Sequence, residues 1–464
     1  MSHTSEVWDI YYREGVRYPP PPKVWDINFF TTFAHFMKVY KFGGASIADA
    51  GRMAALLPII ADEHGPLLIV LSALGKTTNA LEAIVNNACK KNVDEAMNLA
   101  HQLERQHLDY AKELLNDVYY PKTEEALKIH FAELERAVQK ADGSRYDYSY
   151  DQVVCMGEIF SSVMLYHLLL QHNIKSEWTD VRKVISTDDT YRDAVVNWNY
   201  SKLDAEAIIG RKLKQGNVVV TQGFIGSAGN GTSVTLGREG SDYTAAILAA
   251  MLKLDSVTIW KDVNGFRNAD PKQFADTVRI DEISYNEVIE MAFYGAQIIH
   301  PKTIKPLQNS DIPLYVKCFL DRSLQGSVIK SKVDDAHYPP LIVLKEKQVL
   351  IQVTTRDFSF ITEDNLSKLY SIFHQLKVKI NLIQNAAISF VASIDNREDK
   401  VSALLHELEK DYKVSLNENV SILTIRHYSP ATLNGLVKDK QVLLKQETRK
   451  TVQVVFRNLP TLLQ

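Results

Sequence analysis

From Met37 onward, short apolar segments rich in β-branched residues alternate with longer segments of helical character. Most of the short segments are apolar at consecutive positions, as in strands that are covered on both faces. A parallel α/β sheet layered between helices accommodates many such strands. The predicted strands are 38–42, 67–72, 178–181, 217–221, 256–260 and 313–317.

The chain has 464 residues, so two or three domains are expected. We assign 37–332 to an α/β domain, in which 80–140 lacks strand signals and is predicted to be a helical insertion. After about residue 333 the order becomes β-α-β-β-α, which is typical of small ferredoxin-like α+β units. A first such unit is assigned to 341–410 and a second, short or degenerate one to 415–464.

The first 36 residues differ from the rest, with a run of prolines and two copies of VWDI. They contain no basic segment followed by an apolar segment, so a signal peptide is not expected. We expect segment 1–36 to be a disordered extension, or to precede a native start at Met37. A partner-binding arm is the alternative.

Composition excludes several classes of protein. Hydrophobic residues make up 45% and charged residues 23%, as in ordinary globular domains, and the net charge of -3 argues against nucleic-acid binding. No apolar run reaches the roughly 18 residues that a membrane span needs. The three cysteines are isolated, which argues against disulfides and structural metal sites and favours the cytoplasm.

Residues suited to phosphate binding stand where the first predicted strand ends. Gly43 and Gly44 allow close approach of the backbone, and Ser46 with the N–H groups of a helix start can bind anionic oxygens. Lys41 supplies a positive charge that can neutralise charge during group transfer. The pattern is not GxxxxGK[ST], and a simple strand-to-helix turn is the alternative.

Further polar residues follow other strands or begin helices. Ser72 and Thr78 come after the second strand, where helix capping is the alternative. Glu158 begins a predicted helix and could pair with an ammonium group, although the helix dipole also favours an acid there. Ser72 and Thr78 are predicted to share one edge of the sheet with the first motif, since the carboxyl ends of parallel strands lie together.

Two longer motifs complete the set. Arg238 has a forked guanidinium group suited to a carboxylate, and with Ser241 and Asp242 it exceeds what a helix cap requires. The segment 260–272 combines an Asn-Gly turn with cations, which indicates either a nucleotide site or a surface turn.

With these motifs in this order, residues 37–329 resemble the aspartate kinases. KFGGAS (41–46) is similar to the family's KFGGTS, and GREGSDYTAA (237–246) to its GRGGSDYSAA. WKDVNGFRNADPK (260–272) resembles the segment of that family that ends in DP[RK], and FYGAQIIHPKT (293–303) resembles FGAKVLHPKT.

The resemblance implies an αβα sandwich of the amino-acid kinase type, followed by regulatory ACT units. It implies transfer of a phosphoryl group from ATP, with Mg²⁺, to the side-chain carboxylate of L-aspartate. The product, 4-phospho-L-aspartate, begins lysine, threonine and methionine biosynthesis. No general base is required, because the acceptor carboxylate is ionised at neutral pH.

The resemblance also implies a role for each matched residue. Lys41 stabilises the transferring group, Glu158 binds the α-ammonium and Arg238 the α-carboxylate of aspartate. Asp242 contacts either the amine or Lys41 and the metal. The implied residues are Lys41 and Asp242 for catalysis; Ser72, Thr78, Glu158, Phe224, Arg238 and Ser241 for the amino acid; and Lys41, Gly43, Gly44, Ser46, Lys261, Asp262, Arg267 and Lys272 for ATP.

Two departures from the family pattern matter. Gln297 replaces a lysine near the nucleotide, a contact that Lys302 could restore. In the segment that matches the effector site of lysine-inhibited relatives, Asn381, Ala386 and Ala387 replace Asp, Ser and Glu. We therefore expect weak or no inhibition by lysine, with threonine or no effector left open, and association of copies through the ACT units.

Two other functions remain possible from the sequence. A sibling kinase of the same fold would act on glutamate, acetylglutamate, carbamate or UMP, but most such enzymes lack the carboxy-terminal units. A catalytically silent amino-acid sensor is the alternative from another class, and the intact Lys41, Glu158, Arg238 and Asp242 argue against it.

Overall fold

The computed structural model describes residues 36–296, 298–334, 338–357 and 359–459. Segment 1–35, which holds almost all of the predicted extension, and Gln297 lie outside the described residues.

The α/β domain contains thirteen strands and twelve α-helices within the described chain. The strands are β1 (Lys38–Phe42), β2 (Leu67–Leu71), β3 (Ser176–Trp178), β4 (Ser186–Thr187), β5 (Val218–Gln222), β6 (Ile225–Ala228), β7 (Ser233–Thr235), β8 (Ser256–Lys261), β9 (Phe266–Arg267), β10 (Arg279–Ile280), β11 (Glu282–Ser284), β12 (Leu314–Cys318) and β13 (Ser327–Lys330). The helices are α1 (Ala50–Ala54), α2 (Leu57–Ala61), α3 (Thr77–Cys89), α4 (Val93–Leu114), α5 (Tyr120–Gln139), α6 (Tyr146–Val154), α7 (Met156–Gln171), α8 (Trp198–Asp204), α9 (Arg211–Lys214), α10 (Gly240–Leu252), α11 (Tyr285–Tyr294) and α12 (Pro301–Ser310).

An eight-stranded sheet in the order β11-β13-β12-β8-β1-β2-β5-β3 forms the centre of this domain. Strand β1 pairs in parallel with both β2 and β8, and β2 is buried along its whole length. Only the β12–β13 pair is antiparallel within this sheet. The predicted parallel α/β fold is therefore confirmed.

One predicted strand is wrong in its bounds. The segment 178–181 is not a strand, because β3 ends at Trp178 and a 3₁₀ turn begins at Val181. The Asp180 side chain accepts a hydrogen bond from the backbone N–H of Arg182 at 3.0 Å. This local cap competes with continuation of the strand.

The predicted helical insertion corresponds to α3, α4 and α5. On α5, Leu127, Phe131, Leu134 and Val138 recur at helical spacing and are buried. The Phe131 ring stacks on that of Phe160 in α7 with the ring centroids 4.0 Å apart. The insertion is thus fixed to the sheet domain by an apolar core.

The helical run Gly143–Gln171 is long and apolar enough to span a membrane by length and composition alone. Its most apolar window is 83% buried inside the protein, however, which is usual for a core helix. Helix α7 packs on β3 and β5 of the central sheet.

The carboxy-terminal part forms a separate six-stranded antiparallel sheet in the order β15-β16-β14-β17-β19-β18. Its elements are β14 (Leu341–Thr355), α13 (Glu363–Gln375), β15 (Ile380–Asn385), β16 (Ser389–Asp395), α14 (Glu398–Leu408), β17 (Tyr412–Arg426), α15 (Pro430–Val437), β18 (Lys440–Glu447) and β19 (Thr451–Asn458). The order β14-α13-β15-β16-α14-β17 is the predicted ferredoxin-like plan.

Strands β14 and β17 run through both predicted small units. Residues 348–355 of β14 pair with 412–420 of β17 in the first unit, whereas 341–345 pair with 422–426 beside β19. The second unit therefore takes its first strand from residues 341–345, which the sequence analysis assigned to the first unit. It has one helix, α15, in the described chain.

A buried ion pair joins the two parts of the protein. Arg426, at the end of β17, donates to both carboxylate oxygens of Glu287 in α11 at 2.7 and 2.8 Å. It also donates to Glu290 at 3.1 Å. The pKa of Glu287 is lowered, because the Arg426 hydrogen bonds and charge outweigh the effect of burial.

We predict that Arg426→Met destabilises the protein by about 3 kcal/mol, because it leaves the Glu287 carboxylate buried without its arginine partner. The double change Glu287→Met with Arg426→Met should recover much of that loss. Thermal unfolding measures both. Arg397→Met is the matched control, since Arg397 pairs with Asp399 in solvent and should contribute under about 0.5 kcal/mol. An unfolding midpoint of Arg426→Met equal to that of the control would contradict the prediction.

Candidate active site

The loop after β1 lies directly against the loop after β2. A Cβ atom on Gly44 would be 2.7 Å from the carbonyl oxygen of Ala73, so glycine is required for this approach. The Gly75 N–H donates to the Gly44 carbonyl at 3.1 Å. The first two predicted motifs are therefore adjacent at the carboxyl edge of the sheet.

Lys41 and Asp242 form a buried ion pair at this edge. The Lys41 Nζ lies 2.6 Å from the Asp242 Oδ1, and both side chains are at most 10% exposed. Asp242 lies in the first turn of α10, where the helix dipole favours a carboxylate. Of the two roles that the sequence left open for Asp242, the structure places it on Lys41.

Glu158 is buried in the first turn of α7. Its Oε1 accepts a hydrogen bond from the Ala73 N–H at 3.2 Å, and its Oε2 has no partner within the described chain. Burial raises the pKa of Glu158 to about 8, although the Ala73 N–H and the charge of Lys41 act in the opposite direction. A buried carboxyl group without a full set of partners is suited to receive a cation.

The loops before α10 are held by close packing. Phe224 has a left-handed backbone, with φ 70°, and its N–H donates to the Thr244 hydroxyl at 2.9 Å. A Cβ atom on Gly240 would be 2.6 Å from the Phe224 ring, and one on Gly223 would be 2.4 Å from the Ser241 Cβ. The loop after β5 is thus fixed against the start of α10.

These elements enclose a polar cavity of about 400 Å³, here called the first cavity. It contains both predicted catalytic residues and all six predicted amino-acid ligands. Tyr150, Arg192 and Thr235 also line it, and the sequence analysis missed them. They lie on a helix, an irregular loop and a short strand whose sequences carry no phosphate or carboxylate signature.

A second cavity of about 580 Å³ lies beside the carboxyl end of β8, the strand that pairs with β1. It is lined by Lys261, Arg267 and Lys272, three of the predicted nucleotide residues, together with Ile342, Val343 and Leu344 of β14. The Arg267 guanidinium is held by the side chain and the carbonyl of Thr277. The first strand of the carboxy-terminal part therefore forms one wall of this cavity.

Within the described part of the chain, three of the predicted nucleotide residues line neither the first nor the second cavity. Gly43 precedes the turn that Gly44 makes, Asp262 is exposed, and the Ser46 hydroxyl donates to the Trp260 carbonyl at 3.3 Å inside the core. Ser46 therefore ties the loop after β1 to β8. The predicted effect of Gln297 lies outside the described residues, and Lys302 pairs with Asp193.

The described residues hold no group of three or more His, Cys, Asp or Glu side chains arranged for a metal ion. In the first cavity, Asp242 has a carboxylate that can bind a hard cation. Mg²⁺ is usually held by one or two carboxylates together with substrate phosphates and water, so the residues present fit such an ion.

Comparisons with known proteins show which family the chain belongs to. Residues 37–318 match the amino acid kinase family. The chain is 30% identical over 401 residues to the lysine-sensitive aspartokinase 3 of Escherichia coli (strain K12), covering 83% of this chain and 86% of that protein. It is 27% identical over 390 residues to the aspartokinase of Chlamydia pneumoniae, covering 83% and 84%.

Among solved structures, the chain resembles E. coli aspartokinase III in complex with aspartate and ADP, with a TM-score of 0.72 and 27% identity. That match covers 91% of this chain and 96% of the other. A chain with this fold and these matches belongs to the amino acid kinase family. Within that family it belongs with the aspartokinases.

We predict that the Glu158 carboxyl group titrates near pH 8 in the ligand-free protein, far above the ordinary value for glutamate, because burial disfavours its charged form. Carbon-detected NMR of protein labelled at the glutamate side chains would follow the titration. Glu158→Gln should remove this step and no other. Titration of every glutamate below about pH 5.5 would show the prediction to be wrong.

Proposed function

We propose that this protein transfers the γ-phosphoryl group of ATP to the side-chain carboxylate of L-aspartate, giving 4-phospho-L-aspartate. This reaction is the first step of lysine, threonine and methionine biosynthesis. L-Aspartate would occupy the first cavity and ATP the second, so that the reacting groups meet near Lys41.

The observation that carries this proposal is the charge pattern of the first cavity. Glu158 has a carboxyl oxygen without a partner in the described chain, and the cationic residue Arg238 lines the same cavity. An amino acid has an ammonium and a carboxylate that match these two groups. Binding of the ammonium would lower the pKa of Glu158 and ionise it, because an opposite charge stabilises the carboxylate.

Lys41 is placed to act on the transferring group. Phosphoryl transfer depends mainly on positioning and on neutralising charge, and Lys41 supplies a buried positive charge at the sheet edge. Asp242 holds the Lys41 Nζ at 2.6 Å and so fixes its direction. The nucleophile is the ionised side-chain carboxylate of aspartate, which attacks the γ-phosphorus while ADP leaves.

Mg²⁺, when bound with ATP, would neutralise charge on the phosphate oxygens. In this chain Asp242 is the residue that would hold it. The Ser72 and Thr78 side chains line the first cavity, where their hydroxyl groups can position the acceptor carboxylate by hydrogen bonds.

A coupled assay for ADP with hydroxylamine present tests the proposal directly. ADP should form only when L-aspartate is added with ATP and Mg²⁺, and hydroxylamine should trap the acyl phosphate. Glutamate, acetylglutamate and UMP serve as controls for the sibling kinases. Equal turnover with one of these, or none with L-aspartate, would contradict the proposal. The latter result would favour the silent-sensor alternative.

We predict that Lys41→Ala lowers kcat about a hundredfold or more and changes the KM for aspartate little, because its charge acts mainly in the transition state. Arg238→Ala should instead raise the KM for aspartate, since it removes a ground-state carboxylate partner. Steady-state kinetics of both variants, with thermal unfolding as a check on folding, measures the contrast. A Lys41→Ala enzyme with near-normal kcat would refute this role.

The carboxy-terminal part supports a proposal about regulation. The side-chain oxygen of Asn381 accepts a hydrogen bond from Lys345 at 2.9 Å, and its amide group donates to Gln348 and Asp395 at 2.7 and 2.8 Å. Lys345 also pairs with Asp395 at 3.0 Å. An incoming lysine ammonium would have to compete with Lys345 for these acceptors.

We therefore predict that lysine inhibits this enzyme weakly or not at all. Loss of a charged partner commonly costs about 1.5–3 kcal/mol, or roughly tenfold to a hundredfold in affinity. Titration of the kinase assay with lysine, threonine and methionine, singly and in pairs, is the measurement. Strong inhibition by micromolar lysine would show that the substitutions at Asn381, Ala386 and Ala387 do not have this effect.

We also propose that copies of the chain associate through the carboxy-terminal sheet. Strands β15 and β18 are its outer strands, and unpaired strand edges favour association. Light scattering of the purified protein tests this association.

The free thiols of Cys89, Cys155 and Cys318 support the proposal of a cytoplasmic location.

A further inference from the structure

Arg192 brings a second arginine into the first cavity, beside Arg238. It lies in the loop between β4 and α8, and its backbone is left-handed, with φ 69°. This conformation is uncommon for a residue with a long side chain. Such an outlier persists only where the surrounding contacts hold it, and it is a reason to look for a function.

The backbone of Arg192 is anchored by a buried carboxylate. Its N–H donates to the Asp151 Oδ2 at 2.9 Å, and Asp151 is fully buried. Asp151 also accepts from the N–H and the hydroxyl of Thr235, at 2.9 and 2.7 Å. The Ala194 N–H donates to the Thr235 carbonyl at 3.0 Å, so the Arg192 loop is fastened to β7.

The guanidinium group of Arg192 lies over aromatic rings. Its central carbon lies 4.3 Å from the centroid of the Tyr150 ring and 5.7 Å from that of Tyr146. The Tyr150 hydroxyl is itself fixed by Glu82 at 2.7 Å. Cation–π attraction holds a guanidinium group over an aromatic ring, and the N–H groups of the guanidinium remain able to bind a ligand.

The Arg192 side chain has N–H donors that make no hydrogen bond within the described chain. Within the described chain its guanidinium makes one hydrogen bond, to the exposed Asp147 at 3.2 Å. A guanidinium group carries five N–H donors, so most of them remain for solvent or for a ligand in the cavity.

The loops of the two arginines touch each other. A Cβ atom on Gly237 would be 2.6 Å from the Asp193 side chain and 3.3 Å from the Arg192 carbonyl oxygen. Lys302 of α12 pairs with Asp193 from the other side. The loop that carries Arg192 is thus packed directly against the residue that precedes Arg238.

We propose that Arg192 and Arg238 together bind the α-carboxylate of the amino-acid substrate, an inference that rests on the proposed function. The acceptor carboxylate must lie near Lys41, where the phosphoryl group arrives, and the ammonium pairs with Glu158. The α-carboxylate is then the group left for the arginines. A carboxylate has about four lone-pair sites and accepts two guanidinium groups without competition between them.

The role of Arg192 is ground-state binding, so the expected effect falls on KM. Replacement with Arg192→Gln should raise the KM for L-aspartate by about tenfold to a hundredfold, while kcat stays within about threefold of wild type. The KM for MgATP should not change. Arg192→Gly is the second variant, since glycine adopts φ 69° without strain and this variant should therefore fold.

The chain offers a matched control in Arg145. Its guanidinium carbon lies 4.3 Å from the Tyr148 ring centroid, the same stacking distance as in the Arg192–Tyr150 pair, but Arg145 is not among the residues that line the first cavity. Arg145→Gln should keep the wild-type KM for both substrates.

An aspartate analogue with a carboxamide in place of the α-carboxylate identifies the group that Arg192 contacts. For each enzyme, kcat/KM is measured with L-aspartate and with the α-amide. The decrease on changing to the α-amide should be much larger for wild type than for Arg192→Gly, because only wild type has an Arg192 contact to lose. Equal losses in the two enzymes would overturn the inference.

Different results would overturn the inference about Arg192 and the proposed function. If wild type phosphorylates L-aspartate but both Arg192 variants keep a wild-type KM, the inference alone is overturned. If Arg145→Gln raises the KM for L-aspartate as much as Arg192→Gln does, the proposed contact between Arg192 and the substrate is also refuted. If wild type shows no turnover with L-aspartate, the proposed function fails and the inference with it.

Discussion

The buried ion pair between Lys41 and Asp242 is the interaction on which the site depends. Lys41 is the last residue but one of the central strand β1, and Asp242 lies in the first turn of α10, about two hundred residues later. Two charges removed from water stabilise the fold only if they are paired, so the pair fixes the end of the strand to the start of the helix. The glycines at 44, 223 and 240 permit the close approaches that this arrangement needs. The result is one polar cavity that several distant segments enclose.

The carboxy-terminal sheet forms part of the second cavity. Ile342, Val343 and Leu344 of β14 form a wall of the second cavity, and the Ile342 N–H donates to the Asn268 carbonyl at 2.7 Å. Lys345 follows directly, and it lies against Gly295 in the α/β domain while it bonds Asn381 in the small unit. A shift of this sheet would therefore change the shape of the cavity.

The sequence predicted the layered fold and most of the site for physical reasons. Continuous apolar strands require covering on both faces, and the resemblance to aspartate kinases matched the residues that carry charge. It did not predict Arg192, because the loop 188–195 has no repeating pattern and its geometry depends on Asp151, a residue far along the chain. Nor did it predict that β14 and β17 serve both small units. That arrangement depends on pairing between residues that are distant in the chain, and the pairing is interrupted by a bulge.

Proton release on binding tests the central claim, that the first cavity is complementary in charge to an amino acid. Glu158 is mostly protonated at pH 7 before binding, because burial raises its pKa to about 8, and an ammonium partner should ionise it. Calorimetry of L-aspartate binding at pH 7 in buffers of different ionisation enthalpy measures this directly. The account predicts release of close to one proton by wild type and none by Glu158→Gln. Binding of L-aspartate to wild type without proton release would contradict it.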